Sequence, residues 1–85
     1  MKKNPVCTIL WSDAAYSYDT EPDPTTPTPC LTTGFIFETN EQYTFIATNV
    51  KYDKDTGILT AVDGLIIPEK AILEFKRIGD YHPQE

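Results

Sequence analysis

The chain has 85 residues, of which 40% are hydrophobic and 12% aromatic, values typical of one small globular domain. Seven basic and 13 acidic side chains give a net charge of −6, which repels nucleic acid backbones and disfavours nucleic acid as a partner. Its apolar runs are far shorter than the roughly 20 residues that a membrane-spanning helix needs. We therefore expect a cytoplasmic protein without a membrane partner.

Five stretches rich in apolar and β-branched residues, each bounded by turn residues, predict five β-strands. They are Val6–Trp11, Leu31–Thr39, Gln42–Val50, Ile58–Ile67 and Ala71–Ile78. Residues 12–30 contain prolines at positions 22, 24, 27 and 29, which predict a long, stiff proline-rich loop without ladder donors. Residues 79–85 are interpreted as a polar C-terminal tail.

Glycine and proline predict where the later strands turn. Gly57, after Asp53-Lys54-Asp55-Thr56, suits a hairpin turn that needs positive φ. Gly64 inside the fourth strand predicts a bulge or sharp bend. Pro68 must end that strand because it has no N–H to give, and its fixed φ allows a single 3₁₀ turn before the fifth strand.

This order of elements predicts an all-β fold, a five-stranded small barrel of the Src homology 3 or Sm type, with a 3₁₀ turn before the last strand. The fifth strand has apolar side chains on both faces, which predicts that a partner covers it. We expect a homo-oligomer with Ile72, Leu73 and Phe75 in the subunit interface.

Two segments are similar to parts of Src homology 3 domains. Residues 15–19, Ala-Tyr-Ser-Tyr-Asp, resemble their aromatic segment, and Ile67-Pro68 resembles the Ile-Pro that precedes their last turn. Those domains place Tyr where this chain has Ala71 and begin their third strand with Trp where this chain has Gln42-Tyr43. The usual recognition of proline-rich peptides is therefore not implied.

Three further motifs, at residues 11–14 (Trp-Ser-Asp-Ala), 32–35 (Thr-Thr-Gly-Phe) and 67–72 (Ile-Pro-Glu-Lys-Ala-Ile), are arranged along most of the chain. This arrangement resembles a group of small bacteriophage and prophage proteins. The resemblance implies a phage accessory protein in the host cytoplasm and supplies no catalytic residues.

The residues that usually carry catalysis are sparse. His82 is the single histidine, close to the C-terminus, and neither a Cys/His cluster nor a glycine-rich phosphate loop is present. We therefore expect no enzyme activity, no metal site and no cofactor. Cys7 and Cys30 are interpreted as reduced thiols, with a disulfide between them as the alternative.

Recognition is better supported, by aromatic residues near the start of the long loop. Trp11, Tyr16 and Tyr18 flank the carboxylate of Asp13, and such rings can stack on a planar ligand. These four residues are the candidate ligand-binding site. In the alternative, Trp11 caps the barrel and the tyrosines hold the loop against it.

The sequence thus favours a nonenzymatic phage-type accessory protein that binds a host protein or a small nucleotide signal, with a possible role against host defence. One alternative is an Sm-like oligomeric ring that binds RNA. Another is a minor structural or assembly component of the virion, which mass spectrometry of purified virions would detect.

Overall fold

The computed structural model describes residues 4–12 and 29–82, and these form one antiparallel sheet. The strands are β1 (Asn4–Ser12), β2 (Pro29–Thr39), β3 (Tyr43–Tyr52), β4 (Leu59–Pro68) and β5 (Ile72–Tyr81). All five predicted strands are present, and the all-β class is confirmed. β5 continues to Tyr81, so the first residues of the predicted polar tail belong to the sheet. Most of the predicted proline-rich loop lies outside the described residues.

The predicted closed barrel is wrong. The sheet order is β4-β3-β2-β1-β5, so β4 and β5, which would have to pair to close a barrel, lie at opposite edges. The strand pairing explains this order, because β5 pairs with β1 from Asn4 to Trp11 and β4 pairs with β3 along its length.

Among the described residues, the main hydrophobic cluster lies on one face of the sheet and is small. Ile9, Ile46 and Ile67 are buried together with Ala71. Thr44 is also fully buried, and its hydroxyl shares a hydrogen bond of 2.8 Å with the Thr39 hydroxyl. The β-branched residues of three strands therefore meet on one face, as the alternation of apolar positions predicts.

Side-chain and backbone hydrogen bonds form the turn between β3 and β4. The Asp53 carboxylate accepts hydrogen bonds from the backbone N–H groups of Asp55 (2.8 Å) and Thr56 (3.2 Å). The Gly57 N–H donates to the Asp53 carbonyl at 2.7 Å, with a φ of 76° at Gly57. The prediction of positive φ at this glycine is confirmed.

The corner before β5 also forms as predicted. Pro68 has φ −60° and ends β4, and a 3₁₀ turn follows at Glu69–Ala71. The Glu69 N–H donates to the Gln42 carbonyl at 2.9 Å, which ties this turn to the β2–β3 connection. Ala71 is buried against the core, so the corner closes the end of the core although it does not close the sheet.

Candidate functional site

The structure places one of the four predicted ligand-binding residues. Trp11 lies near the end of β1, where it packs against the core cluster, and its indole Nε1 donates to the Thr32 hydroxyl at 3.0 Å. Asp13, Tyr16 and Tyr18 lie outside the described residues, so this cluster stays a prediction. The packing of Trp11 agrees with the alternative in which the ring caps the core.

A second candidate site lies at the other end of β1. A cleft of about 520 Å³ is lined by Tyr52, Lys54, Tyr81 and His82. Tyr52 ends β3 and Lys54 belongs to the following turn, whereas Tyr81 ends β5 opposite Asn4. The cleft is therefore formed where the end of the β3–β4 hairpin approaches the end of β5. All four lining residues are exposed, so the cleft is a wide depression that is open to solvent.

The chemistry of this cleft suits a planar anion. Two phenol rings offer faces for stacking, the Lys54 ammonium offers a positive charge, and His82 offers ring nitrogens for hydrogen bonds. The nearby Asp53 carboxylate is engaged by two backbone N–H groups of its own turn. Phe35 meets the Tyr81 ring edge-on, with centroids 6.2 Å apart.

Sequence reasoning missed this cleft. The sequence pattern places His82 in a polar tail, and Tyr52 and Tyr81 are 29 positions apart, so no motif spacing joins them. The one available signal is Tyr81 itself, an aromatic residue of the kind that β-strands favour.

The predicted interface residues lie on an edge strand, β5, but only two are exposed. Ile72 packs against the core cluster. Leu73 is 61% and Phe75 43% exposed, and Ile78 and Tyr81 further along β5 are also exposed. The opposite edge, β4, exposes Val62, Leu65 and Ile66. Both edges of the sheet therefore carry apolar side chains in contact with solvent.

Both cysteines are free thiols, and the strand register separates them. Cys7 lies opposite Gly34 and Cys30 opposite Trp11, so four ladder positions, or about 13 Å, lie between them along the strands. Because a disulfide needs Cα atoms within about 7 Å, the intramolecular disulfide is excluded in this fold. Burial raises the pKa of the Cys7 thiol; the charge of Arg77 opposes this shift and that of Asp80 adds to it.

The two thiols are expected to differ in reactivity. A raised pKa lowers the fraction of Cys7 present as thiolate, the form that attacks a disulfide reagent, and burial limits access to it. In native protein at pH 8, Cys30 should therefore react with the reagent quickly, and Cys7 about tenfold or more slowly. The Cys30→Ser variant should keep only the slow phase, and unfolded protein should show two equal thiols. Equal native rates, or no free thiol, would contradict this arrangement.

Three further findings bear on the site. Within the described residues, no group of three or more His, Cys, Asp or Glu side chains could hold a metal ion. The same residues include no helix with the length and apolar character needed to cross a membrane. Comparison of the chain with protein-family models, curated proteins and solved structures finds no match.

Proposed function

We propose that the protein is a nonenzymatic phage-type accessory protein that acts in the host cytoplasm by stoichiometric binding of a small nucleotide signal. The observation that carries the proposal is the cleft that brings Tyr52 and Tyr81 together with Lys54 and His82. The phage context rests on the three sequence motifs. Sequestration of a nucleotide signal is a way to act against a host defence without catalysis.

Each part of a nucleotide has a counterpart in the cleft. A base has a π-face that stacks on a phenol ring, and such stacking is worth about 1–3 kcal/mol per base. A phosphate oxygen accepts a charge-assisted hydrogen bond from the Lys54 ammonium, a class of bond worth about 1.5–3 kcal/mol.

Isothermal titration calorimetry with AMP, ATP and a panel of cyclic dinucleotides tests the proposal. We expect at least one nucleotide to bind with one site per chain, and Lys54→Ala to weaken that binding about tenfold. Tyr52→Ala should weaken it by a similar factor because a stacking face is lost.

Lys51→Ala is the matched control, because Lys51 is an exposed lysine of β3 that does not line the cleft. It should bind as the unmodified protein does. No binding across the panel, or equal weakening by Lys51→Ala and Lys54→Ala, would contradict the proposal. A change in Trp11 fluorescence that persists in the cleft variants would place the ligand instead at the predicted cluster around Trp11.

A host protein is the second candidate for the bound partner, and the β4 edge favours it. Val62, Leu65 and Ile66 are exposed along a strand whose outer backbone groups have no ladder partner within the described residues. An extended segment of another protein can add to such an edge by main-chain hydrogen bonds. Failure of every nucleotide in the titration would leave this candidate.

A further inference from the structure

The outer edge of β5 carries exposed apolar side chains together with acidic and basic residues. Leu73, Phe75 and Ile78 are exposed, and within the described residues no strand pairs with this edge. Edge strands of this kind are usually shielded, because their free N–H and C=O groups pair readily with another chain. Glu74 and Lys76 stand on either side of Phe75 in the sequence.

The central part of β5 is regular enough to extend a ladder. Glu74, Phe75, Lys76 and Arg77 pair in succession with Leu10, Ile9, Thr8 and Cys7. The register shifts lie on either side of this segment and leave Leu73 and Ile78 as the extra residues of two bulges. A second strand could therefore pair with the regular segment between the bulges.

Symmetry restricts how two copies of β5 can pair. Directly opposite residues of an antiparallel pair point to the same face, so a two-fold axis must place one residue opposite its own copy. Centring the axis on Glu74, Lys76 or Arg77 places two like charges directly opposite each other, which is destabilising. Centring it on Phe75 places each Glu74 opposite Lys76 of the partner subunit and each Lys76 opposite Glu74 of the partner subunit. Within the regular segment, only this register is complementary in charge.

We propose that the protein is a two-fold symmetric dimer in which β5 pairs with β5 of a second copy, with Phe75 on the axis and two Glu74–Lys76 pairs flanking it. Each pair lies on the face opposite the core, because Glu74 and Lys76 sit beside Leu10 and Thr8. The two Phe75 rings meet on the core side, beside Ile9. Pairing joins the two sheets into one and shields the apolar edge of both copies.

The β4 edge does not offer an equivalent symmetric pairing. Asp63 is the single charged residue of β4, so no symmetric register of this strand creates an opposite-charge pair. Two register shifts also fall beside Asp63, between Ala47 and Val50 of β3. A pairing of β4 with β5 of the next copy would be head-to-tail and would produce a ring or a filament, which is a different assembly.

The dimer leaves the nucleotide cleft open. Tyr81 is six positions from Phe75, about 20 Å along the strand, so the two clefts would lie about 40 Å apart at opposite ends of the paired strands. The dimer does not rest on nucleotide binding, and each chain would bind its ligand separately. A failed nucleotide titration would therefore not contradict the dimer, and a monomeric protein would not contradict nucleotide binding.

Charge exchange at the interface tests the dimer. Native mass spectrometry and sedimentation equilibrium at micromolar concentration should show a species of twice the 9.6 kDa chain mass. Glu74→Lys alone and Lys76→Glu alone should each weaken the dimer at least tenfold, since each creates like-charge pairs across the axis. The double variant Glu74→Lys/Lys76→Glu should recover dimerisation, because the two pairs re-form with their charges exchanged.

Lys51→Glu is the control, since it makes the same change of charge as Lys76→Glu on an exposed residue of β3. It should leave the dimer unchanged, and circular dichroism should show all four variants folded. A monomeric parent protein, a larger ring, single exchanges without effect, or a double exchange without recovery would each overturn the proposal. Loss of the dimer through unfolding of a single variant would not count as support, because the proposal also requires the double variant to recover dimerisation.

Discussion

Replacement of Ile46 by Ala is expected to lower the free energy of unfolding by about 2–5 kcal/mol, the usual cost of removing a large aliphatic side chain from a core. Ile46 is completely buried in β3, where it lies between Ile36 of β2 and Leu65 of β4. A domain of this size has a total stability of only about 4–13 kcal/mol. Its core has few other members, so little repacking is available to fill the cavity.

Urea denaturation followed by Trp11 fluorescence measures this effect, at one protein concentration for all variants because self-association adds to apparent stability. Leu31→Ala is the matched control, since Leu31 of β2 is 68% exposed and should cost less than about 0.5 kcal/mol. A cost below about 1 kcal/mol for Ile46→Ala, or equal costs for both variants, would show that the core is not where the structure places it.

The local features of this fold could be predicted because each has a local cause. A proline without an N–H ends β4 at Pro68, and a residue free to adopt positive φ closes the β3–β4 turn at Gly57. The bend at Gly64 was also predictable, and the β3–β4 ladder shifts register directly beside it. Strand periodicity predicts all five strands: nine of the ten strand ends lie one to three residues from their predicted positions, and the end of β2 at Thr39 coincides with its prediction.

The arrangement of the strands in the sheet could not be predicted as well. Whether β4 pairs with β5 depends on how far the sheet bends over its whole width, and no local pattern specifies this. The prediction of a barrel assumed that a strand, turn, strand corner brings β5 back beside β4. Instead, β5 pairs with β1 and forms the edge of the sheet opposite to β4.

The residues of the candidate cleft are even harder to predict from the sequence than the arrangement of the strands. Tyr52 and Lys54 are neighbours in the sequence, but Tyr81 and His82 join them only because β5 runs to the end where the β3–β4 hairpin projects. Sequence reasoning favoured Trp11 because aromatic residues cluster after it. In the structure the Trp11 ring packs on the core and donates its N–H to Thr32, whereas Asp13, Tyr16 and Tyr18 lie outside the described residues, so the cluster around Trp11 stays a prediction.

Replacement of Gly34 by Ala is the second change with a large expected effect, and its reason is the close approach of β2 to β3. A Cβ at Gly34 would overlap the carbonyl oxygen of Ala47 and lie 3.0 Å from its carbonyl carbon and 3.2 Å from Cγ1 of Ile46. Two of these atoms belong to the backbone of a central strand and cannot move by a change of rotamer. We expect a loss of stability near the upper end of the usual range of about 1–3 kcal/mol for overpacking.

Gly79→Ala separates this steric effect from the general effect of replacing glycine in a strand. Among the described residues, nothing lies within 4 Å of a Cβ at Gly79, so the methyl group would meet open space on β5. Because alanine restricts the unfolded chain, this control should be neutral or stabilising by up to about 1 kcal/mol. Opposite signs for the two variants in the same urea titration would confirm the close contact at Gly34, and equal signs and sizes would contradict it. The contact explains why the Thr-Thr-Gly-Phe segment has glycine in its third position: β3 passes too close for any side chain there.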